Sequence, residues 1–379
     1  MGGHMARESV RWNYKSEEFE IGGEPAMWGI DVADFIGAEE RLRSASLTDL
    51  KHAARRYWAT MYDYDLTFRV YDVPEELLRE DEEGFSPIPV EFEVSGDHFI
   101  VTTTIAVEPG IRVNALELAQ VLSPQLKANR AVFLEVREED LPLAKLLTLS
   151  VELQSVRGRT LGDALDLGRS LLQLWEASLG GMLTPESVVD LIVAQRPELL
   201  IGQPESDWLE VKGKPYDLKN ELEALELAKD ISAFANAPAG GLLVVGFSRK
   251  KVEGQDHLKG VALQPVRAID PRKHRQALER LILPPPEGLQ VEAVETEEGK
   301  GMLVIRVPPQ AAALQPFLVT GTVVEGKVLG SHFALYVRRG EHCEPASPAV
   351  IHGQLLAGKV ALDSISDNVK DSGVRSDSS

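Results

Sequence analysis

The chain has 379 residues, 44% of them hydrophobic, with 40 Lys and Arg against 59 Asp and Glu, a net charge of −19 and one cysteine. No apolar run nears the roughly 20 residues of a membrane-spanning helix, and Cys343 alone cannot form an internal disulfide, which argues against an integral membrane protein and a disulfide-stapled secreted one. The apolar content excludes wholesale disorder, and at about 100–200 residues per domain the length predicts two domains.

The opening Met1-Gly2-Gly3-His4-Met5 reads as a cloning scar with no apolar stretch behind it, so the expected compartment is a reducing cytoplasm. Cys343 reads as a small apolar residue. Residues 1–200 hold 35 acids and 19 Lys and Arg, a net of −16, whereas residues 201–361 hold 20 and 19, a net of −1. An acidic surface repels phosphate at long range, so the first half suits a regulatory or partner-recruiting role and the second is free to meet a polyanion.

Residues 36–62 read as one or two helices, with Ser46 or Thr48 as the start signal, and the acidic stretch Glu75 to Glu83 as a helix end or loop. The period then changes. Val90 to Val94 alternates, Ser95-Gly96-Asp97 supplies turn chemistry, and His98 to Ile105 is rich in β-branched residues, which together predict a hairpin. A helix over Ala115 to Leu122 stopped by Ser123-Pro124, strands near Ala131 to Val136 and Leu147 to Leu153, and a long helix from Thr160 to Ala177 complete an α+β sandwich. Glu138-Glu139-Asp140 reads as a solvated loop. This order of elements resembles the type III secretion chaperone-like fold. A short helix within Pro185 to Ile201 closes the acidic domain, 6–201, and Gly202-Gln203-Pro204 is the expected hinge. The tail, 362–379, is expected to be disordered.

Beyond the hinge, an extended segment over 207–212 would put Trp208, Glu210 and Lys212 on one face and Leu209 and Val211 in the core. On its own, such a Glu/Lys pair reads first as an ordinary exposed strand face carrying a cross-strand ion pair. Asn220 to Asn236 repeats Leu222, Leu225, Ala228, Ile231 and Phe234 at helical spacing. Ala237-Pro238-Ala239-Gly240-Gly241 stops that helix, with Asn236 a candidate cap, and Leu242 to Phe247 follows as a buried strand. The glycine pair serves either a tight turn or a close phosphate approach. No phosphate-binding loop, dinucleotide fingerprint or metal-type His spacing is present, which argues against an ATPase, a dehydrogenase and a zinc enzyme.

Glu205, Glu210-Val211-Lys212, Ala233-Phe234-Ala235-Asn236, Gly240-Gly241 and the apolar strand to Gly246 together resemble the Schlafen AlbA-like putative DNA-binding domain family. The resemblance continues through Val304 to Pro308 and Leu335 to Gly340, and covers 202–361. It implies a second α+β domain that binds DNA or RNA. The family also includes metal-dependent nucleases with three carboxylates near a lysine. By that analogy the catalytic candidates are Glu205, Glu210 and Lys212, with Glu205 and Glu210 as ligands of Mg²⁺ or Mn²⁺. The third acid is missing after Gly246, where the chain reads Phe247-Ser248-Arg249; Glu253 and Asp256 are the candidate substitutes.

The expected function is therefore nucleic-acid binding by a bacterial-type protein. The bases that would contact phosphate are Arg249, Lys250 and Lys251, Arg272, Lys273 and Arg275, and Arg338 and Arg339. The alternatives are a divalent-metal nuclease and an oligomeric protein-interaction scaffold. A single AlbA-like copy further implies a homo-oligomer, because paired lobes form the groove in Schlafens, and the acidic half is the surface for a protein partner.

Overall fold

The computed structural model describes residues 7–59, 65–80, 85–178, 182–324, 327–353, 355–356 and 358–359. The scar, the end of the acidic stretch and the tail lie outside them. The chain forms two compact units, 1–190 and 191–379. Among the described residues no helix is long and apolar enough to cross a membrane.

The first unit is built on strands β1 (Val10–Asn13), β2 (Glu18–Ile21), β3 (Glu24–Gly29), β4 (Asp34–Ala38), β5 (Leu66–Tyr71), β6 (Val90–Ser95), β7 (His98–Val107), β8 (Ala131–Asp140) and β9 (Lys145–Leu153). They make one sheet in the order β1-β2-β3-β4-β5-β6-β7-β9-β8, with β4 and β5 the parallel pair. The helices are α1 (Glu39–Leu42), α2 (Leu47–Trp58), α3 (Glu75–Glu80), α4 (Ala115–Ala128), α5 (Leu161–Ala177) and α6 (Pro185–Val193). Of these, α2 packs on β1, α4 on β8, and α5 on β6 and β7. The hairpin signal matches β6 and β7, and alternation puts Val90, Phe92 and Val94 in the core.

Several boundaries differ from the sequence reading. Ile36 to Ala38 ends a strand, and two helices follow in that region, the short α1 from Glu39 and the longer α2 from Leu47, where Ser46 accepts from the Asp49 N–H at 3.4 Å. Helix α4 runs through Pro124, because Leu118, Val121, Leu122 and Leu126 share a buried stripe that outweighs one missing N–H. Glu138 and Asp140 end β8, with Lys145 paired to them at 2.8 and 3.6 Å. The helix within Pro185 to Ile201 is α6 followed by a 3₁₀ turn at Pro197–Leu200; Arg196, which precedes a proline, is disfavoured from helical dihedrals.

The second unit contains β10 (Leu209–Lys212), α7 (Glu221–Ala235), β11 (Gly241–Val245), β12 (Phe247–Val252), β13 (Gln255–Val261), β14 (Gln264–Pro265), α8 (Pro271–Leu281), β15 (Ile282–Leu283), β16 (Gln290–Glu297), β17 (Lys300–Val307), β18 (Leu318–Val324), β19 (Lys327–Arg339) and β20 (His342–Pro345). A central sheet runs β10-β11-β17-β14, with β16 also on β17; β12 and β13 form a hairpin, and β15-β18-β19-β20 a further sheet. Gly202 to Pro204 is not a free hinge. The Gly202 N–H donates to Leu258 at 2.7 Å, the Leu258 N–H donates to Gln203 at 3.0 Å, and Pro204 bridges to His257. The division of units falls inside α6 instead.

Helix α7 supplies the core with Leu225, Ala228, Ile231 and Phe234, packed on Leu243, Val245, Ile305 and Val307. Asn220 caps its start, accepting from the Leu222 N–H at 3.0 Å. Asn236 does more than end it. Its Oδ1 accepts from the Phe317 N–H at 2.8 Å, and its Nδ2 donates to the carbonyls of Phe317 and Tyr336 at 2.9 and 3.0 Å, which ties the helix end to distant strands.

Gly240 and Gly241 are required by packing. Gly240 has φ +68, and a Cβ there would collide with the Val307 carbonyl; a Cβ at Gly241 would overlap the Phe234 ring. Gly241→Ala is expected to destabilise this unit by about 1–3 kcal/mol, since a buried ring has to shift. The check is the urea midpoint of the unit, and an unchanged midpoint would show that the helix-to-strand turn tolerates bulk.

Candidate functional site

Strand β10 pairs in parallel with β11, setting Glu210 beside Leu243 and Lys212 beside Val245. Both faces of β10 are covered: Leu209, Glu210 and Val211 are all buried, Glu210 to 5% exposure. The exposed-strand reading of Glu210 therefore fails. A buried carboxylate persists only with partners, and its partners are cations. Lys212 Nζ lies 2.7 Å from Glu210 Oε1, and Arg338 Nη1 lies 2.8 Å from Oε2.

Glu205, 1% exposed, accepts from the Val211 N–H at 2.8 Å and from Arg249 Nη1 at 3.2 and 3.3 Å. The same Arg249 nitrogen lies 3.5 Å from Glu210 Oε1 and 3.6 Å from Asp256 Oδ2, so three carboxylates surround one guanidinium nitrogen. Backbone geometry fixes it there. The Glu205 N–H donates to the Asp256 carbonyl at 2.8 Å, and Gln255 Nε2 donates to the Glu205 carbonyl at 2.7 Å, tying the β12–β13 hairpin to the Glu205 segment.

A further acid, Asp230, joins from α7. It is 3% exposed, lies 3.1 Å from Lys212 Nζ, and accepts from the Tyr216 hydroxyl at 2.8 Å. Lys229 adds a weaker contact at 3.9 Å. Arg338 completes the group from β19. Its side chain is 1% exposed, donates to the carbonyls of Ser206 and Leu209 at 2.8 and 3.1 Å, approaches Cys343 Sγ at 3.5 Å, and stacks 4.6 Å over Phe234.

Proton affinities follow this arrangement. Burial, with the Glu210 charge beside it, raises the Glu205 carboxyl to about 7 against the opposing pull of the Val211 N–H and Arg249. Burial opposes the Lys212 ammonium, yet Asp230 and Glu210 hold it above the ordinary lysine value. Burial and Asp230 raise the Tyr216 phenol, which stays a hydrogen-bond donor, and burial lifts the half-buried Cys343 thiol to about 11.

Four acids (Glu205, Glu210, Asp230 and Asp256) thus meet four bases (Lys212, Lys229, Arg249 and Arg338). A divalent ion needs carboxylate oxygens at about 2.0–2.6 Å and a surplus of negative charge. Here Arg249 takes the space between Glu205 and Glu210, and no group of three His, Cys, Asp or Glu among the described residues is arranged to hold a metal. The residues present do not fit Mg²⁺ or Mn²⁺ while that guanidinium stays. Of the candidate substitutes for the missing acid, Asp256 reaches the group through Arg249, whereas Glu253 sits exposed in the hairpin turn.

The basic clusters part company. Arg338 is buried among the acids, Arg249 is exposed along its length but turns its Nη1 to them, and Lys250 and Lys251 are exposed on β12. Arg339 is exposed and 3.6 Å from Glu344. On α8, His274, Ala277 and Leu278 face the core, leaving Arg272, Lys273, Arg275 and Arg280 outward with Glu279. Lys273 makes a rim contact to Asp270 at 3.3 Å, and Arg275 donates to the Leu289 carbonyl at 2.9 Å. Helix α8 packs against β16, whereas the hairpin rests on β10, at the other edge of the central sheet.

Sequence reasoning missed Asp230 and Tyr216. The signal for Asp230 was its spacing: Leu227, Asp230 and Phe234 lie on one helical stripe, and an acid inside an apolar stripe needs a buried partner.

No curated protein matches the chain significantly. Among solved structures, the crystal structure of the DIP2311 protein from Corynebacterium diphtheriae aligns at 22% identity with a TM-score of 0.25, over 42% of this chain and 26% of that one. The chain thus spans about a quarter of that protein's length. Residues 205–347 match the family model described as Schlafen, AlbA_2, a span that starts at Glu205 and takes in Arg249, Arg338 and Cys343. The C-terminal unit of this mixed α+β chain carries a Schlafen AlbA_2 domain.

Proposed function

We propose that the C-terminal unit binds DNA or RNA through the outward face of α8, and that its buried acids serve the architecture of the domain and not a metal. One observation carries this reading: the acids are already paired with Lys212, Arg249 and Arg338, while four bases on α8 point to solvent with one acid among them. Phosphate contacts of this kind provide sequence-independent affinity. The acidic N-terminal unit, repelling the same phosphates, suits recruitment of a protein partner or regulation. A second copy of the chain would double the basic surface, and light scattering with and without oligonucleotide reads that stoichiometry.

Binding of a labelled oligonucleotide, followed by fluorescence anisotropy, is expected to weaken steeply between about 50 and 200 mM salt. Replacing Arg272, Lys273 and Arg275 together by serine should lower the slope of log affinity against log salt by about 0.9 per lost contact on duplex DNA. Lys250→Ser with Lys251→Ser should change it less. Absence of binding at about 50 mM salt removes the proposal and leaves the scaffold reading. The nuclease reading, with Mg²⁺ or Mn²⁺ on Glu205 and Glu210 beside Lys212, requires Arg249 to leave its place. Mn²⁺-dependent cleavage that Glu210→Ala abolishes would establish it against the present one.

A further inference from the structure

The basic face of α8 ends beside an exposed ring. Among the described residues of the C-terminal unit Phe333, on β19, is the one exposed aromatic, at 59% exposure. A lone exposed apolar residue is ordinary. Its neighbours give this one a reading. Phe333 stands directly across from Thr320 of β18, so the two side chains share a face of the sheet with their Cβ atoms about 4.5–5.5 Å apart. The Thr320 hydroxyl in turn donates to the carbonyls of Arg280 and Leu281, at 3.4 and 3.2 Å, where α8 ends.

The row of bases leads toward that ring. Arg275 leans to the β16 side through the Leu289 carbonyl, and Arg280, five residues on and about 140° round the helix, stands on the flank toward β18. From Arg272 to Arg280 the helix rises about 12 Å. Leu283 widens the platform: it pairs with Leu318, two residues before Thr320 and so on the same face, and it is also 59% exposed. Cations on α8 thus run into a shelf of one aromatic ring and one leucine, both open to water.

We infer that Phe333 is a stacking platform for an unpaired base, so that the nucleic acid held by α8 is single-stranded where it crosses the end of the helix. The inference rests on α8 as the phosphate-binding face and adds what phosphate contacts alone lack, a preference for strand state. A base inside a duplex has both faces covered by its neighbours, and only an unpaired base offers a face to a ring. The ring reads no sequence, because every base has such a face. DNA and RNA share this chemistry.

Fluorescence anisotropy of the full chain with labelled oligothymidylate, oligouridylate and a DNA duplex of equal length tests the inference; the tighter single strand assigns DNA or RNA, and equal affinity assigns both. Phe333→Ala should weaken the single strands about 5- to 100-fold, the range for removing one stacking partner, with the slope against salt unchanged and duplex binding intact. Phe333→Trp should retain or tighten single-strand binding. Neither variant should move the melting temperature, the side chain being exposed. Replacing Arg272, Lys273 and Arg275 together by serine should weaken every probe. If Phe333→Ala binds the single strands like wild type while the triple variant still loses affinity, this inference alone is overturned. An equal loss on the duplex overturns it too, since the ring would then be a wedge between base pairs. No binding of any probe removes the phosphate-binding role of α8 together with it.

Discussion

Replacing Arg338 by methionine is expected to cost the C-terminal unit about 3–5 kcal/mol, the usual penalty for stranding one member of a buried ion pair. The substitution removes the contact to Glu210 Oε2, two bonds to the carbonyls of Ser206 and Leu209, and the stack on Phe234. Glu210, at 5% exposure, would keep Lys212 and a long contact to Arg249 but lose its shortest guanidinium partner. Arg338→Lys should fall between the two, because an ammonium keeps the charge but not the fork that reaches three acceptors. Pairing Arg338→Met with Glu210→Gln should recover much of the loss, since the stranded charge is then absent. Urea unfolding of the three variants decides the matter: a single substitution costing less than about 1 kcal/mol would place Arg338 among ordinary surface pairs.

The second large effect concerns pH. Glu205 titrates near 7 in the folded unit against 4.5 in an ordinary environment, so between those values the folded state holds a proton that the unfolded chain releases. Stability must then fall as pH rises through that window, the opposite of a salt-bridged carboxylate whose affinity for protons is depressed. Between pH 5 and pH 8 the wild type should lose about 2–3 kcal/mol relative to Glu205→Gln, whose amide oxygen can still accept from Val211. Unfolding curves of both proteins at the two pH values supply the difference, which cancels every other titrating group. Parallel behaviour would mean that Arg249 holds Glu205 ionised throughout.

Much of the C-terminal architecture was legible because its signals are local. Asn220 caps the start of α7 as its chemistry predicts, and the helix ends at Ala235, just ahead of the turn that runs from Pro238 to Gly241. The first half was harder. The first three strands are four to six residues long with mixed polar positions, too short for alternation to stand out, and the parallel pairing of β4 with β5 is a tertiary outcome. At the site, Glu205, Glu210 and Lys212 could be chosen because they are close in sequence, and the structure brings all three together. In the sequence Arg249 and Arg338 read as surface bases, because a basic pair or triplet normally faces water. Only the fold shows that β12 and β19 turn one arginine from each toward buried acids.

Glu210 and its closest guanidinium partner are 128 residues apart in sequence, which bears on how the polypeptide matures during synthesis. At about 5–20 residues per second a ribosome takes roughly 6–26 s to add the arginine after the glutamate. Through that interval β10 can pair with β11, but Glu210 has to remain hydrated or rely on lysine alone. Final closure of the domain thus waits for β19, and a ribosome-stalled chain ending before β19 should be far more open to protease than one that includes it.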